Sequence, residues 1–71
     1  MSYNKGDLVK FKSARGGWVL GRVVEKLRYV PRLKGERIAV RVTSRNNKNY
    51  PFGLVYDFTP GTIVLRKSKE A

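Results

Sequence analysis

KGDLVKFKSARGGWVLGRVVEKL, residues Lys5 to Leu27, decides the fold. Val9 and Phe11 alternate with Lys10 and Lys12. Alternation with a period of two marks a strand with one buried and one solvated face. Ser13 to Gly17 reads as a turn, because Gly16 and Gly17 accept φ > 0 without a Cβ clash. From Trp18 to Leu27 the chain is mostly apolar, interrupted at Gly21. An isolated glycine inside a strand pattern predicts a bulge or sharp bend. The second strand is therefore expected to be long and bent, which lets a small sheet curl onto itself.

Outward from this hairpin, Met1 to Asn4 reads as a loose start, with strands over Lys5 to Lys12 and Gly17 to Arg28. Tyr29 to Glu36 reads as a loop, since Pro31 disfavours helix at Val30 and Gly35 is a turn residue. Arg37 to Ser44 is the clearest strand. Ile38, Val40 and Val42 share one side, β-branched and apolar, while Arg37, Ala39, Arg41 and Thr43 share the other. It is expected to be central. Arg45 to Asn49 reads as a polar turn, because Asn tolerates the left-handed region and bonds its own backbone. Pro51 cannot donate to a ladder, so Tyr50 to Gly53 is an edge or a loop. Leu54 to Phe58 reads as a fourth strand with Leu54, Tyr56 and Phe58 inward. Thr59-Pro60-Gly61 is a compact turn, and Thr62 to Arg66 closes the sheet. Lys67 to Ala71 is a polar tail. The expected core is Val9, Phe11, Val23, Ile38, Val40, Val42, Leu54, Ile63 and Leu65.

Seventy-one residues suit one small domain, here 1–71 with loose termini at 1–4 and 67–71. A chain this short buries only about 60% of its unfolded surface, so its stability is marginal. With no Cys, no disulfide framework supports it. Lacking His as well, the chain has no usual zinc ligand set, and neither metal nor cofactor is expected. The support falls to the apolar residues, among them one Trp, four Tyr and three Phe. No long apolar run and no signal-peptide pattern is present, so membrane insertion is not expected and a cytoplasmic protein is. Catalysis is not expected either. General acid–base and nucleophilic chemistry lean on His and Cys. The acids Asp7, Glu25, Glu36, Asp57 and Glu70 are scattered singly, and no phosphate-binding Gly-rich motif occurs.

Charge is the dominant compositional fact: sixteen Lys and Arg against five Asp and Glu, a formal net charge of +11. Solubility of a small domain needs only about 2–8 charges. The excess predicts an anionic partner. Basic residues interleave with aromatics in two segments. One is Arg28, Tyr29, Arg32, Lys34 and Arg37; the other is Arg45, Lys48, Tyr50 and Phe52. Cations neutralise phosphates and release counterions, and rings stack on unpaired bases. Lys10, Lys12, Arg22 and Lys26 sit opposite apolar positions and read as a solvated face, or together as a basic sheet surface that Arg15 and Trp18 would extend. Trp18 reads as core or groove-lining, with a stacking platform as the alternative; Tyr56 and Phe58 read as core. Tyr29 and Tyr50 fit either packing lids or ligand contacts, and Tyr50 with Phe52 would form a pre-set aromatic pair.

Gly6-Asp7-x-Val9-x-Phe11 followed by Gly17-Trp18-x-x-Gly21-x-Val23 resembles the opening hairpin of Tudor and KOW domains, members of the Src-homology-3-like small β-barrels. The resemblance implies an all-β fold, a single five-stranded barrel, with a one-turn 3₁₀ segment before the last strand. Barrel closure would also remove exposed sheet edges. Function does not follow from such a fold. Lys5-Gly6-x-x-Val9, Val40-Arg41-Val42, Asn49-Tyr50 and Phe58 are similar to the stromal barrel subunit of photosystem I, a family that helps dock acidic ferredoxin. The expectation is a non-catalytic nucleic-acid-binding module of low sequence specificity, with RNA or single-stranded DNA favoured over duplex. The alternative is a module that docks an acidic protein. A reader of methylated Lys or Arg would need an aromatic cage, for which Trp18, Tyr50, Phe52 and Tyr56 are the available rings.

Overall fold

A computed structural model describes residues 3–14 and 16–67, the side chains of Leu65 and Lys67 excepted. Arg15, the expected core side chain of Leu65 and the tail beyond Lys67 lie outside the described residues. Five antiparallel strands form one sheet: β1 (Leu8–Lys12), β2 (Trp18–Val30), β3 (Gly35–Val42), β4 (Val55–Phe58) and β5 (Ile63–Lys67), in the order β4-β3-β2-β1-β5. There is no α-helix among the described residues; single 3₁₀ turns occupy Pro31–Leu33 and Pro60–Thr62.

Alternation dictates the two faces. Val9 and Phe11 on β1, Val19 and Val23 on β2, and Ile38, Val40 and Val42 on β3 are almost fully buried, and Ile63 of β5 joins them. Lys10, Lys12, Arg22 and Arg41 take the intervening outward positions. The sheet is strongly curled around its inner face. Phe11 on β1 and Phe58 on β4 have two strands between them in the sheet, a separation of about 14 Å if flat. Their ring centroids nevertheless lie 4.3 Å apart. Tyr50 packs edge-on against Phe11 at 4.9 Å, and Tyr56 packs against Tyr50 at 5.2 Å.

Several expectations need correction. The sheet is not closed into a barrel: β4 and β5 remain its two edges. The chain leaves the four-residue β4 through the Pro60 turn and pairs with β1 at the other margin, so each edge keeps one neighbour. Gly21 is not a bulge. It pairs in register with both Val9 and Val42. A Cβ there would fall on the Val40 side chain and within 2.9 Å of the Arg41 carbonyl oxygen, so the glycine permits a close approach of β3. The irregularities that bend β2 lie further on, between Val23 and Arg28. The expected loop at 29–36 is half strand: Tyr29 and Val30 end β2, Gly35 and Glu36 begin β3, and only residues 31–34 form the turn between them. There Lys34, rather than Gly35, takes the left-handed conformation (φ 55°), its N–H donating to the Pro31 carbonyl.

Leu54 is half exposed, because the ring of Tyr50 fills the inner face beside Phe11 and Tyr56. Ala39, although on the outward side of β3, is buried between Glu25 and Asp57 of the adjoining strands. The start is not loose at Tyr3: its ring is buried and its hydroxyl donates to the Ile63 carbonyl, 3.1 Å. Asp7 accepts from the Asn4 N–H at 2.9 Å, and Gly6 donates to Val23, which ties this segment to β2. Lys67 belongs to β5, opposite Leu8. β3 is interior, as expected, with β2 at the centre of the sheet.

Candidate nucleic-acid interface

β2 carries basic clusters toward both of its ends, and they differ in what surrounds them. At the far end the β2–β3 hairpin sets Arg28 opposite Arg37 and Tyr29 opposite Glu36. Asp57 on β4 is aimed at this pair. Its carboxylate accepts from Arg28 Nη2 at 2.8 Å and from Arg32 Nη2 at 3.5 Å. Arg28 also donates to the Arg37 carbonyl. Arg37 itself donates to the Glu36 and Leu33 carbonyls, clasping the turn. Of the five residues in this predicted cluster, Arg28 and Arg32 thus tie the hairpin to β4 and Arg37 braces the turn. Tyr29, at 62% exposure, and Lys34 project beyond them.

The near end is arranged differently. Trp18 opens β2 opposite Lys12, and because Val19 next to it points inward, the indole points out. It is 42% exposed, so the core reading of this residue is corrected. The inner face beside it is already filled by Val19, Phe11 and Tyr50. Lys10 Nζ lies 4.5 Å and Lys12 Nζ 5.5 Å from the indole centroid. Each such interaction is worth about 0.5–1 kcal/mol at an exposed site. Further along β2 on the outward face, Leu8, Arg22, Arg41 and Val55 form one row across four strands. Like charges directly opposite one another on neighbouring strands destabilise a sheet. Arg22 and Arg41 are such a pair, flanked by apolar side chains. Arg22 Nη1 donates to the Gly6 carbonyl at 3.0 Å, which fixes its head.

The β3–β4 connection, residues 43–54, is fastened to this end of β2. Thr43 N–H donates to the Leu20 carbonyl, Leu20 N–H to Ser44 Oγ, and Asn46 Nδ2 to the Trp18 carbonyl. Asn47 Oδ1 accepts from the Asn49 N–H, the local side-chain turn expected of Asn here. The loop presents Arg45 with its guanidinium 4.0 Å from the centroid of Phe52, which is 51% exposed. Lys48 is exposed as well. Tyr50 and Phe52 do not form the expected pair: Tyr50 turns inward to Phe11 and Tyr56, while Phe52 lies against Arg45. Tyr50 and Tyr56 edge-pack in the core margin, so the four rings of the supposed methyl-group cage are not gathered round one site.

The two predicted clusters are therefore not brought together. The Arg45 loop is joined instead to Trp18, Lys10 and Lys12. Arg41 and Asp57 are the residues that sequence reasoning undervalued. Arg41 was visible as an outward position in the best strand; Asp57 looked solitary because its partners lie on another strand pair. Asp57 forms ion pairs with Arg28 and Arg32. Among the described residues, no three of His, Cys, Asp and Glu gather where they would hold a metal ion, and no helix is long and apolar enough to cross a membrane. Comparison of the chain with protein-family models, with curated proteins and with solved structures returns no match.

Proposed function

We propose that this protein is a non-catalytic nucleic-acid-binding module of low sequence specificity, working through the outward face of its sheet near Trp18. The observation that carries the reading is the outward row Leu8–Arg22–Arg41–Val55: two arginines side by side, flanked by apolar residues. A polyanion laid across that face would relieve the repulsion and release counterions. Lys10, Lys12 and Arg45 extend the charge beside exposed rings. Low specificity follows from the kind of interaction, since phosphate contacts position a ligand and carry no sequence information. The absence of an α-helix among the described residues leaves no recognition helix for a major groove.

The strong curl of the sheet and the 3₁₀ turn at Pro60–Thr62 support the further proposal that the module is of the Tudor/KOW type, a small sheet rolled toward a Src-homology-3-like barrel. The test is a binding panel at low salt with single-stranded RNA, single-stranded DNA, duplex DNA and an acidic protein. Nucleic-acid binding that weakens steeply as salt rises is the expected result. Binding to the acidic protein alone would replace this reading with a protein-docking one.

A further inference from the structure

Resting on the nucleic-acid reading, we infer that Trp18 is a stacking platform for an unpaired base, and that Lys10 and Lys12 are its phosphate clamps, parked on the indole until ligand arrives. Three observations converge. The indole is set outward by the strand itself, since Val19 beside it is fully buried, and its backbone carbonyl accepts from Asn46. Its place is thus fixed before any ligand binds. Both ammonium groups lie within 5.5 Å of the ring centroid, which leaves the ring partly exposed. Lys10 and Lys12 leave β1 on one face, two residues apart, about 6.6 Å along the strand. Two flexible cations rooted at that spacing, both within reach of one flat ring, can serve the successive phosphates on either side of a stacked base.

The exchange at the site is simple. A base covers more of an indole face than an ammonium does, so stacking displaces the lysines from the ring. Their long stems swing the charges onto the flanking phosphates. Nothing charged is left stranded. A duplex offers only phosphates here, because its base faces are stacked inside. An acidic protein would engage the lysines and leave the ring without a partner of matching shape.

Trp18 is the protein's single tryptophan, so its emission reports this site alone. Oligothymidylate and oligouridylate carrying an end label should bind and quench that emission, both with the same midpoint. Inorganic polyphosphate, an anion with no rings, should bind with little quenching. Trp18→Ala should weaken oligothymidylate binding about fivefold or more, while changing duplex binding less than twofold; Trp18→Phe should recover part of the loss. Thermal melts confirm that each variant is folded. Binding of the oligonucleotide without quenching, or equal losses on single strand and duplex, overturns the platform and leaves the nucleic-acid reading intact. Equal quenching by polyphosphate shows that only the lysines move, and also overturns it. Failure of every nucleic acid to bind at low salt overturns the broader reading and this one with it.

Discussion

Two arginine pairs face each other across β2 and β3, and they have opposite fates. Arg28 and Arg37 stand beside Asp57, which draws Arg28 and Arg32 into an ion-paired clasp between the hairpin and β4. Arg22 and Arg41 stand side by side between Leu8 and Val55, two like charges opposite each other on neighbouring strands. In sequence the first group looked the better ligand site, since it is denser in cations and carries a tyrosine. One carboxylate from a distant strand turns it into architecture. The lesson is that a basic cluster reads as a binding surface only after the acids have been placed, and here Asp57 went to the Arg28 end.

Breaking the common foundation should have the largest effect. Phe11→Ala removes the ring under both Tyr50 and Phe58, and should cost about 3–5 kcal/mol in denaturant unfolding. Hydrogen exchange in the variant should rise in residues 43–54 more than in the 29–37 hairpin, because Tyr50 anchors only the former. Next in size is Lys10→Ala combined with Lys12→Ala. Stability should fall by only about 1–2 kcal/mol, the two cation–π contacts with Trp18, while the log–log salt dependence of single-strand binding should flatten by about 1.4 units, about 0.7 for each phosphate that is no longer neutralised. An unchanged slope would place the interface elsewhere.

Asp57→Asn inverts the experiment. Losing the clasp should cost roughly 0.5–1 kcal/mol of stability, yet nucleic-acid affinity at low salt should rise slightly as Arg28 and Arg32 are freed. A large rise in affinity would mean that the hairpin end is the true site. The smallest effect is expected from Arg41→Gln, which should stabilise the fold by a few tenths of a kcal/mol by removing a like-charge neighbour and weaken binding at the same time. Loss of both would show that Arg41 is held by a partner within the protein.

The inner face was legible in the sequence because period-two alternation is imposed by strand geometry, and Val9, Phe11, Ile38, Val40 and Val42 obey it without exception. Leu54 obeyed the same rule on paper and failed because Tyr50, from outside any strand, reached the place first. Residue types in the candidate site were legible too, but their grouping was not. Whether Arg45 belongs with Trp18 or with Arg28 depends on which strand end a loop is tied to, and the bond from Asn46 to the Trp18 carbonyl that settles it joins residues far apart in the chain. Asp57 was invisible as a partner for the same reason: its neighbours are set by the β3–β4 register, not by local spacing.

The sheet's two unpaired margins, β4 and β5, bear on how the protein behaves at high concentration. Each is a row of backbone donors and acceptors on which another copy's strand can add, and Val55 and Val64, both about half exposed, offer each margin an apolar foothold. Mutual repulsion of molecules carrying +11 opposes such contact. On the nucleic-acid reading, salt that strips a polyanion from the surface would also screen that repulsion, so release of ligand and self-association would be driven by the same ions. A long polyanion would neutralise the charge from the other direction while lining copies up along one scaffold. The open edges would then couple occupancy to colloidal state, since copies crowded on a shared anionic chain would stand where strand can meet strand.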